Sequence, residues 1–297
     1  MKTGIVGILN NPATSENSHS AGWNLLIKDM IDENAVFLKE TDDWDLYDKL
    51  IICHGPNFKE NSYNIIGGIT ESVIKRCNKL NNFKGIIESI DNFNLNNFYN
   101  KRNLSVSRFK GNIVKINMPK CDNLVMGDSH SISVWPGKNY EIIRQDGRTM
   151  HGFMKRYQSY NFKDYKKIIF YYGNIDARFH LYRKSKKDIV SQIMRYINCA
   201  RYVDATIVNL LPIENENRKI PKSGQLKGKN FNGTQHSRQK IVKLCNNIIN
   251  SNYHKTIKWP QLWYDNTVYF EKEVMEPRQS VHIRPKYYHK TGELTLF

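Results

Sequence analysis

Short apolar runs that do not alternate with polar residues constrain the fold of this chain more than any other feature of its sequence. A strand covered on one face alternates apolar and polar side chains, whereas a strand buried on both faces is apolar throughout. The runs therefore predict parallel sheet covered on both faces. The predicted strands are 4–9, 35–38, 49–53, 84–88, 113–117, 123–126, 167–172 and 205–211.

The segments between these strands carry apolar residues at helical spacing, and three of them follow a residue suited to an N-cap. These residues are Thr70, Ser185 and Thr234. Alternating strands and helices are typical of βαβ units. We predict an α/β protein with two open parallel-sheet α/β/α domains, a Rossmann-like domain at 1–120 and a second domain at 121–297.

The charge balance indicates what kind of partner the chain would bind. It has 45 Lys and Arg against 28 Asp and Glu, a net charge of +17. Such an excess favours polyanions through phosphate contacts and counterion release. Abundant Lys, Asn and Ile are equally typical of a genome rich in A and T. Nucleic acid or another polyanion is a candidate partner, and the sequence leaves the oligomeric state open.

Other classes of protein are disfavoured by what the sequence lacks. No apolar stretch approaches the roughly 20 residues of a membrane-spanning helix, and the N-terminus turns polar too soon for a secretory signal. Five scattered cysteines predict buried free thiols and no metal site. The Gly-x-Gly-x-x-Gly fingerprint is missing, so we predict no cofactor. We expect a cytoplasmic protein without membrane contact, in the host cytoplasm if the chain is viral.

Three polar loops follow predicted strands of the second half. They span 127–130 (Gly-Asp-Ser-His), 173–180 and 212–233. Because the carboxyl ends of parallel strands share one edge of a sheet, we expect a site where these loops meet. The third loop is interpreted as a lid or as a disordered segment.

Four blocks of the second half carry a resemblance to a known family. They are Gly127-Asp128-Ser129, Gly152, Gly173-Asn174-Ile175-Asp176 and, matched on its histidine, Ser280-Val281-His282-Ile283. In this order the chain resembles the SGNH (GDSL-like) hydrolases over about residues 121–290. The resemblance implies a flavodoxin-like domain, a nucleophile at Ser129, a base at His282, and oxyanion donors at Gly152 and Asn174.

Two positions depart from the pattern of that family. Ile175 stands where the family has its oxyanion asparagine, so Asn174 would have to supply the donor. Gln279 stands where the family has the acid of its triad. We therefore predict a Ser129–His282 dyad, with Oγ and Nε2 within about 3.5 Å. A neutral acceptor would hold His282 Nδ1–H, or Glu276 would restore a triad.

A branch of the family with Gly-Glu-Ile-Asp-x-Arg-x-His resembles residues 173–180 more closely. That match implies a catalytic role for Asp176 and substrate-binding roles for Arg178 and His180. Asp128 and His130, beside the nucleophile, are also predicted to bind substrate. Alternative interpretations remain: Arg178 and His180 as a loop clamp, Ser129 as a helix cap, and His282 as a surface residue.

The first half resembles the N-terminal domain of phage DNA glucosyltransferases at residues 47–55 and 64–68. The leading hypothesis is an SGNH-like serine hydrolase or acyltransferase that acts on an ester-linked group, on a polyanionic or modified nucleic-acid substrate of a phage. The alternative is a nucleic-acid-binding or DNA-modifying, glycosyltransferase-like protein that keeps the SGNH fold without ester hydrolysis.

Overall fold

The chain divides into two compact units, Met1–Pro119 and Lys120–Phe297. The computed structural model describes part of each unit. Several predicted features lie outside the described residues: the N-cap at Thr70, most of the third loop, and positions 276 and 279. The described residues are 1–7, 28–39, 41–53, 79–89, 114–115, 121–135, 137–145, 147–213, 232–265, 268–275 and 282–288.

The first unit contains a five-stranded sheet whose pairs are all parallel. Its strands are β1 (Thr3–Gly7), β2 (Val36–Phe37), β3 (Lys49–Cys53), β4 (Ile86–Ser89) and β5 (Val114–Lys115). Their order is β2-β1-β3-β4-β5. This is the flavodoxin-like order, and it differs from the 3-2-1-4-5-6 order of dinucleotide-binding Rossmann domains. The first unit is therefore an open parallel sheet, as predicted, with a flavodoxin-like strand order.

The second unit repeats the same topology with another parallel sheet. Its strands are β6 (Asn123–Gly127), β7 (Tyr140–Arg144), β8 (Lys167–Tyr171), β9 (Thr206–Val208) and β10 (Thr256–Ile257). The order β10-β9-β8-β6-β7 is again flavodoxin-like. The predicted α/β class with two parallel sheets is confirmed. Strands β7 and β10 were not predicted, because β7 alternates buried and exposed residues and β10 has only two.

Three α-helices are described in the second unit: α1 (Met150–Met154), α2 (Lys186–Tyr202) and α3 (Gln235–Asn252). Two predicted N-caps are confirmed. The Ser185 side chain accepts the N–H of Asp188 at 3.1 Å, and Thr234 Oγ1 accepts the N–H of Ser237 at 3.1 Å. These bonds satisfy N–H groups that have no partner in the first turn of a helix.

The β8 strand shows why its apolar run does not alternate. Phe170 and the following Tyr172 belong to a buried aromatic cluster, in which Phe153 stacks on Tyr172 at 4.4 Å between ring centroids. Tyr171 points to the opposite face of the sheet, where its ring lies 5.8 Å from that of Trp259. Both faces of the strand are therefore covered by aromatic side chains.

No helix in the described part of the chain is both long and apolar enough to cross a membrane. The described cysteines of the second unit, Cys121, Cys199 and Cys245, are buried and free, as predicted.

Candidate active site

Ser129 stands on a tight turn at the carboxyl edge of the second sheet, directly after β6. The turn is held by two backbone bonds, from Asp128 N–H to Tyr171 O and from Ser131 N–H to Asp128 O, both 3.1 Å. A Cβ atom on Gly127 would lie only 2.3 Å from Tyr171 O. Glycine therefore allows β6 and β8 to approach where the turn begins. Ser129 is partly exposed, whereas its neighbours on both sides are buried.

His282 comes to this turn from the far end of the sequence. Its Nε2 atom lies 3.1 Å from Ser129 Oγ, across a separation of 153 residues, and within the predicted distance. An antiparallel bridge between Met275 and Ile283 fixes the next residue of its segment. Arg284 adds two bonds, from its N–H to Val274 O at 2.9 Å and from Nε to Met275 O at 2.6 Å.

Asp128 and His130 lie behind the serine rather than on the surface. They are 0% and 1% exposed, and Asp128 Oδ1 lies 2.9 Å from the His130 N–H and 2.7 Å from its Nδ1. The His130 ring packs against the His282 ring, with centroids 4.5 Å apart. The predicted substrate-binding role of this pair is corrected, because burial leaves no surface for direct contact. The pair instead supports His282.

Gly152 does not offer the free N–H that the resemblance implies. Its N–H donates to Thr149 Oγ1 at 3.0 Å, as part of the N-cap of α1. Within the described residues, the backbone N–H groups of Ser129 and Gly147 have no hydrogen-bond acceptor. Gly147 has φ +70° and belongs to the loop after β7, which Gln145 N–H joins to Gly127 O at 2.8 Å. Gly147 therefore replaces Gly152 as the candidate backbone donor.

Asn174 is fully buried, and only one end of its amide is used. Its Oδ1 accepts the Leu211 N–H at 2.9 Å, which fixes the orientation of the side chain. Its Nδ2 makes no full hydrogen bond in the part of the chain that the structure describes, although the Asn174 side chain lies near enough to the buried Tyr171 hydroxyl to oppose the rise in the pKa of Tyr171. A buried amide donor without a full hydrogen bond is costly in a folded protein, so this one is a candidate ligand-binding group, which a ligand reaches only if the side chains that cover it move.

Asp176 was predicted to be catalytic, but both of its carboxylate oxygens accept hydrogen bonds from other protein groups. Oδ2 accepts the Met150 N–H at 2.8 Å, and Oδ1 accepts Gln192 Nε2 at 2.9 Å. Burial raises the pKa of Asp176 from 3.8 to about 6, although both hydrogen bonds oppose the rise. The carboxylate thus joins the start of α1 to α2 and positions the loop that carries Asn174.

Arg178 and His180 lie on the π-helical turn Asp176–His180 and face different environments. Arg178 is 1% exposed and its Nη1 donates to Asn174 O at 3.1 Å, so the clamp interpretation fits it better than direct substrate binding. His180 is exposed at the end of the turn.

The sequence reasoning missed the loop after β7 and the packing of His130 on His282. A Gln-Asp-Gly turn was visible at 145–147, but the strand before it was not predicted, so the turn was not placed at the edge of the sheet. The contact between the two histidines carries no local signal in the sequence.

No protein-family model and no curated protein sequence matches the chain. The similar solved structures include a GDSL-like lipase from Bacteroides thetaiotaomicron, 14% identical, with 67% of this chain and 94% of that chain covered and a TM-score of 0.42. They also include a lipase/acylhydrolase from Enterococcus faecalis, which is 14% identical. The match covers 58% of this chain and 92% of that chain, with a TM-score of 0.38. A third is the OSK domain of Drosophila Oskar, which is 13% identical. The match covers 58% of this chain and 86% of that chain, with a TM-score of 0.38. None of this supports the resemblance to glucosyltransferases.

Proposed function

We propose that this protein hydrolyses or transfers an ester-linked acyl group, with Ser129 as nucleophile and His282 as base, in the manner of the SGNH hydrolases. One observation carries the proposal: His282 Nε2 lies 3.1 Å from Ser129 Oγ, on a partly exposed turn at the carboxyl edge of a parallel sheet. Fold alone does not define a function, so the proposal rests on this pair.

The reaction follows from the chemistry of the two side chains. His282 Nε2 takes the hydroxyl proton as Ser129 Oγ forms a bond to the ester carbonyl carbon. The tetrahedral intermediate breaks its bond to the alcohol oxygen, which takes the proton from His282 and leaves. Water or an acceptor alcohol then attacks the acyl-enzyme by the same route in reverse, which releases the acid or forms a new ester.

The negative charge on the carbonyl oxygen needs hydrogen-bond donors that are already in place. Two partly exposed residues, Ser129 and Gly147, carry backbone N–H groups without protein partners in the described structure, and the Nδ2 of the buried Asn174 becomes a third donor only if the side chains that cover it move. Their position on loops at the carboxyl edge of β6, β7 and β8 supports assigning them to the oxyanion.

The buried pair Asp128–His130 supports the base through packing and charge. A carboxylate beside His130 Nδ1 keeps the proton on that nitrogen, which fixes the tautomer and orientation of the ring. The ring packs against His282, so it limits rotation of the base. The negative charge of Asp128 also favours the positive charge that His282 gains in the reaction.

A fluorophosphonate probe tests the proposal, since it reacts with activated serine hydroxyls. We expect stoichiometric labelling at Ser129, located by mass spectrometry, and none in Ser129→Ala. Ser159→Ala is the matched control, because Ser159 is exposed and only caps a turn. His282→Gln should slow labelling about a hundredfold or more, the usual contribution of a general base. Equal labelling of Ser129→Ala and the native protein would refute the proposal.

A further inference from the structure

A cluster of positive charges lies on the outer surface of α1 and α2. Lys155 directly after α1, Lys184 just before α2 and Arg195 on α2 are exposed, and Arg148 before α1 is partly exposed. None of these four cations lies within 4 Å of a carboxylate in the described structure. Lys184 donates to the neutral amide of Gln192.

These charges are gathered where α1 packs on α2: the rings of Phe153 and Tyr196, close in sequence to Lys155 and Arg195, lie 6.1 Å apart, and Lys184 bonds Gln192, which is three residues before Arg195. His151 is exposed, yet partial desolvation lowers its pKa and three positive charges lower it further. These charges belong to Lys155, Lys184 and Arg195. Arg148 completes the group, because its Nη1 lies 3.6 Å from the position of a Cβ on Gly152, the residue after His151. Like charges gathered without counter-charges favour an anionic ligand.

Exposed aromatic rings adjoin the same cluster. Tyr202 is 74% exposed, and its ring meets that of the half-buried Tyr157 edge to face at 6.0 Å. Arg195 and Tyr202 are seven residues apart on α2, which places them about two turns apart on one face. Cys199, between them, contacts Tyr157 and lies in the field of Arg195.

We propose that this surface of α1 and α2 binds single-stranded nucleic acid. The cations would contact successive phosphates, and the open face of Tyr202 would stack on an unpaired base. A single strand is favoured over a duplex because only an unpaired base can reach an aromatic ring. The net charge of +17 strengthens the binding of any polyanion, but it does not indicate which surface binds it. The inference does not depend on the reactivity of Ser129, so the two proposals fail or stand separately.

Fluorescence anisotropy with a labelled oligothymidylate tests the surface. The double variant Lys155→Glu/Arg195→Glu should bind at least tenfold more weakly than Lys240→Glu/Lys243→Glu. The latter pair is the matched control, because it makes the same charge change at exposed positions of α3. Losing two phosphate contacts should also flatten the slope of log affinity against log salt by about 1.4. Equal affinities for the two double variants would overturn the proposal.

The stacking step has its own test. Tyr202→Ala should weaken binding of the oligothymidylate about tenfold, whereas Tyr202→Phe keeps the ring and should bind like the native protein. Affinity for a duplex of the same length should change little in both variants. A loss that is equal for single strand and duplex would contradict base stacking. If Tyr202→Ala binds the oligothymidylate like the native protein while Lys155→Glu/Arg195→Glu weakens heparin and oligothymidylate binding equally, the surface is a general polyanion site and the nucleic-acid proposal is overturned. Circular dichroism establishes that each variant is folded.

Discussion

Replacing Asp176 by Asn tests whether a buried charge links the stability of the second unit to pH. In the native protein the carboxylate accepts bonds from Met150 N–H and Gln192 Nε2 and is almost fully buried. An Asn side chain keeps one oxygen acceptor for Met150 and carries no charge. The comparison therefore isolates the cost of ionising this group inside the protein.

The magnitude follows from the raised pKa. Burial raises the pKa of Asp176 from 3.8 to about 6, and each pKa unit corresponds to about 1.4 kcal/mol, so the difference amounts to about 3 kcal/mol. Because the folded-state pKa is the higher one, the folded state binds the proton more tightly. The stabilisation from this proton is complete below pH 3.8 and is lost as the pH rises through about 6.

Urea unfolding followed by circular dichroism measures this effect at intervals from pH 4 to 7.5. The free energy of unfolding of the native protein should fall relative to that of Asp176→Asn by about 2.4 kcal/mol across this range, since part of the full difference is already lost at pH 4. Asp164→Asn, at an exposed position, controls for the loss of one negative charge. A difference between native protein and Asp176→Asn that is independent of pH, or that grows with pH, would refute the reasoning.

Two further substitutions test other parts of the site. Asn174→Ala removes the Nδ2 donor and should lower turnover of p-nitrophenyl acetate about 10²-fold to 10³-fold, the usual loss for one oxyanion donor; an unchanged rate would exclude that role. Gly127→Ala places a Cβ 2.3 Å from the backbone oxygen of Tyr171, so β6 and β8 must separate. We expect thermal and urea unfolding to show a loss of about 1–3 kcal/mol, and native stability in this variant would contradict the close approach.

The sequence by itself determined most of the strands, two helix N-caps and the polar turns that follow β6 and β8. The apolar runs predicted β6 and β8, because strands buried on both faces need apolar side chains in succession. Ser185 and Thr234 were recognisable as N-caps because a cap is a contact between residues three apart. The Ser129 and His282 blocks were likewise visible as short local motifs.

Tertiary structure decided what each polar group near Ser129 does. Asp128, at the centre of the most informative motif, proved to be buried against His130. The Gly152 N–H proved to be used by its own helix cap. His282 reached Ser129 across 153 residues. The physical reason is that hydrogen-bond partners and burial are set by residues distant in sequence, so a local pattern can place a side chain on a turn but cannot tell what it will face.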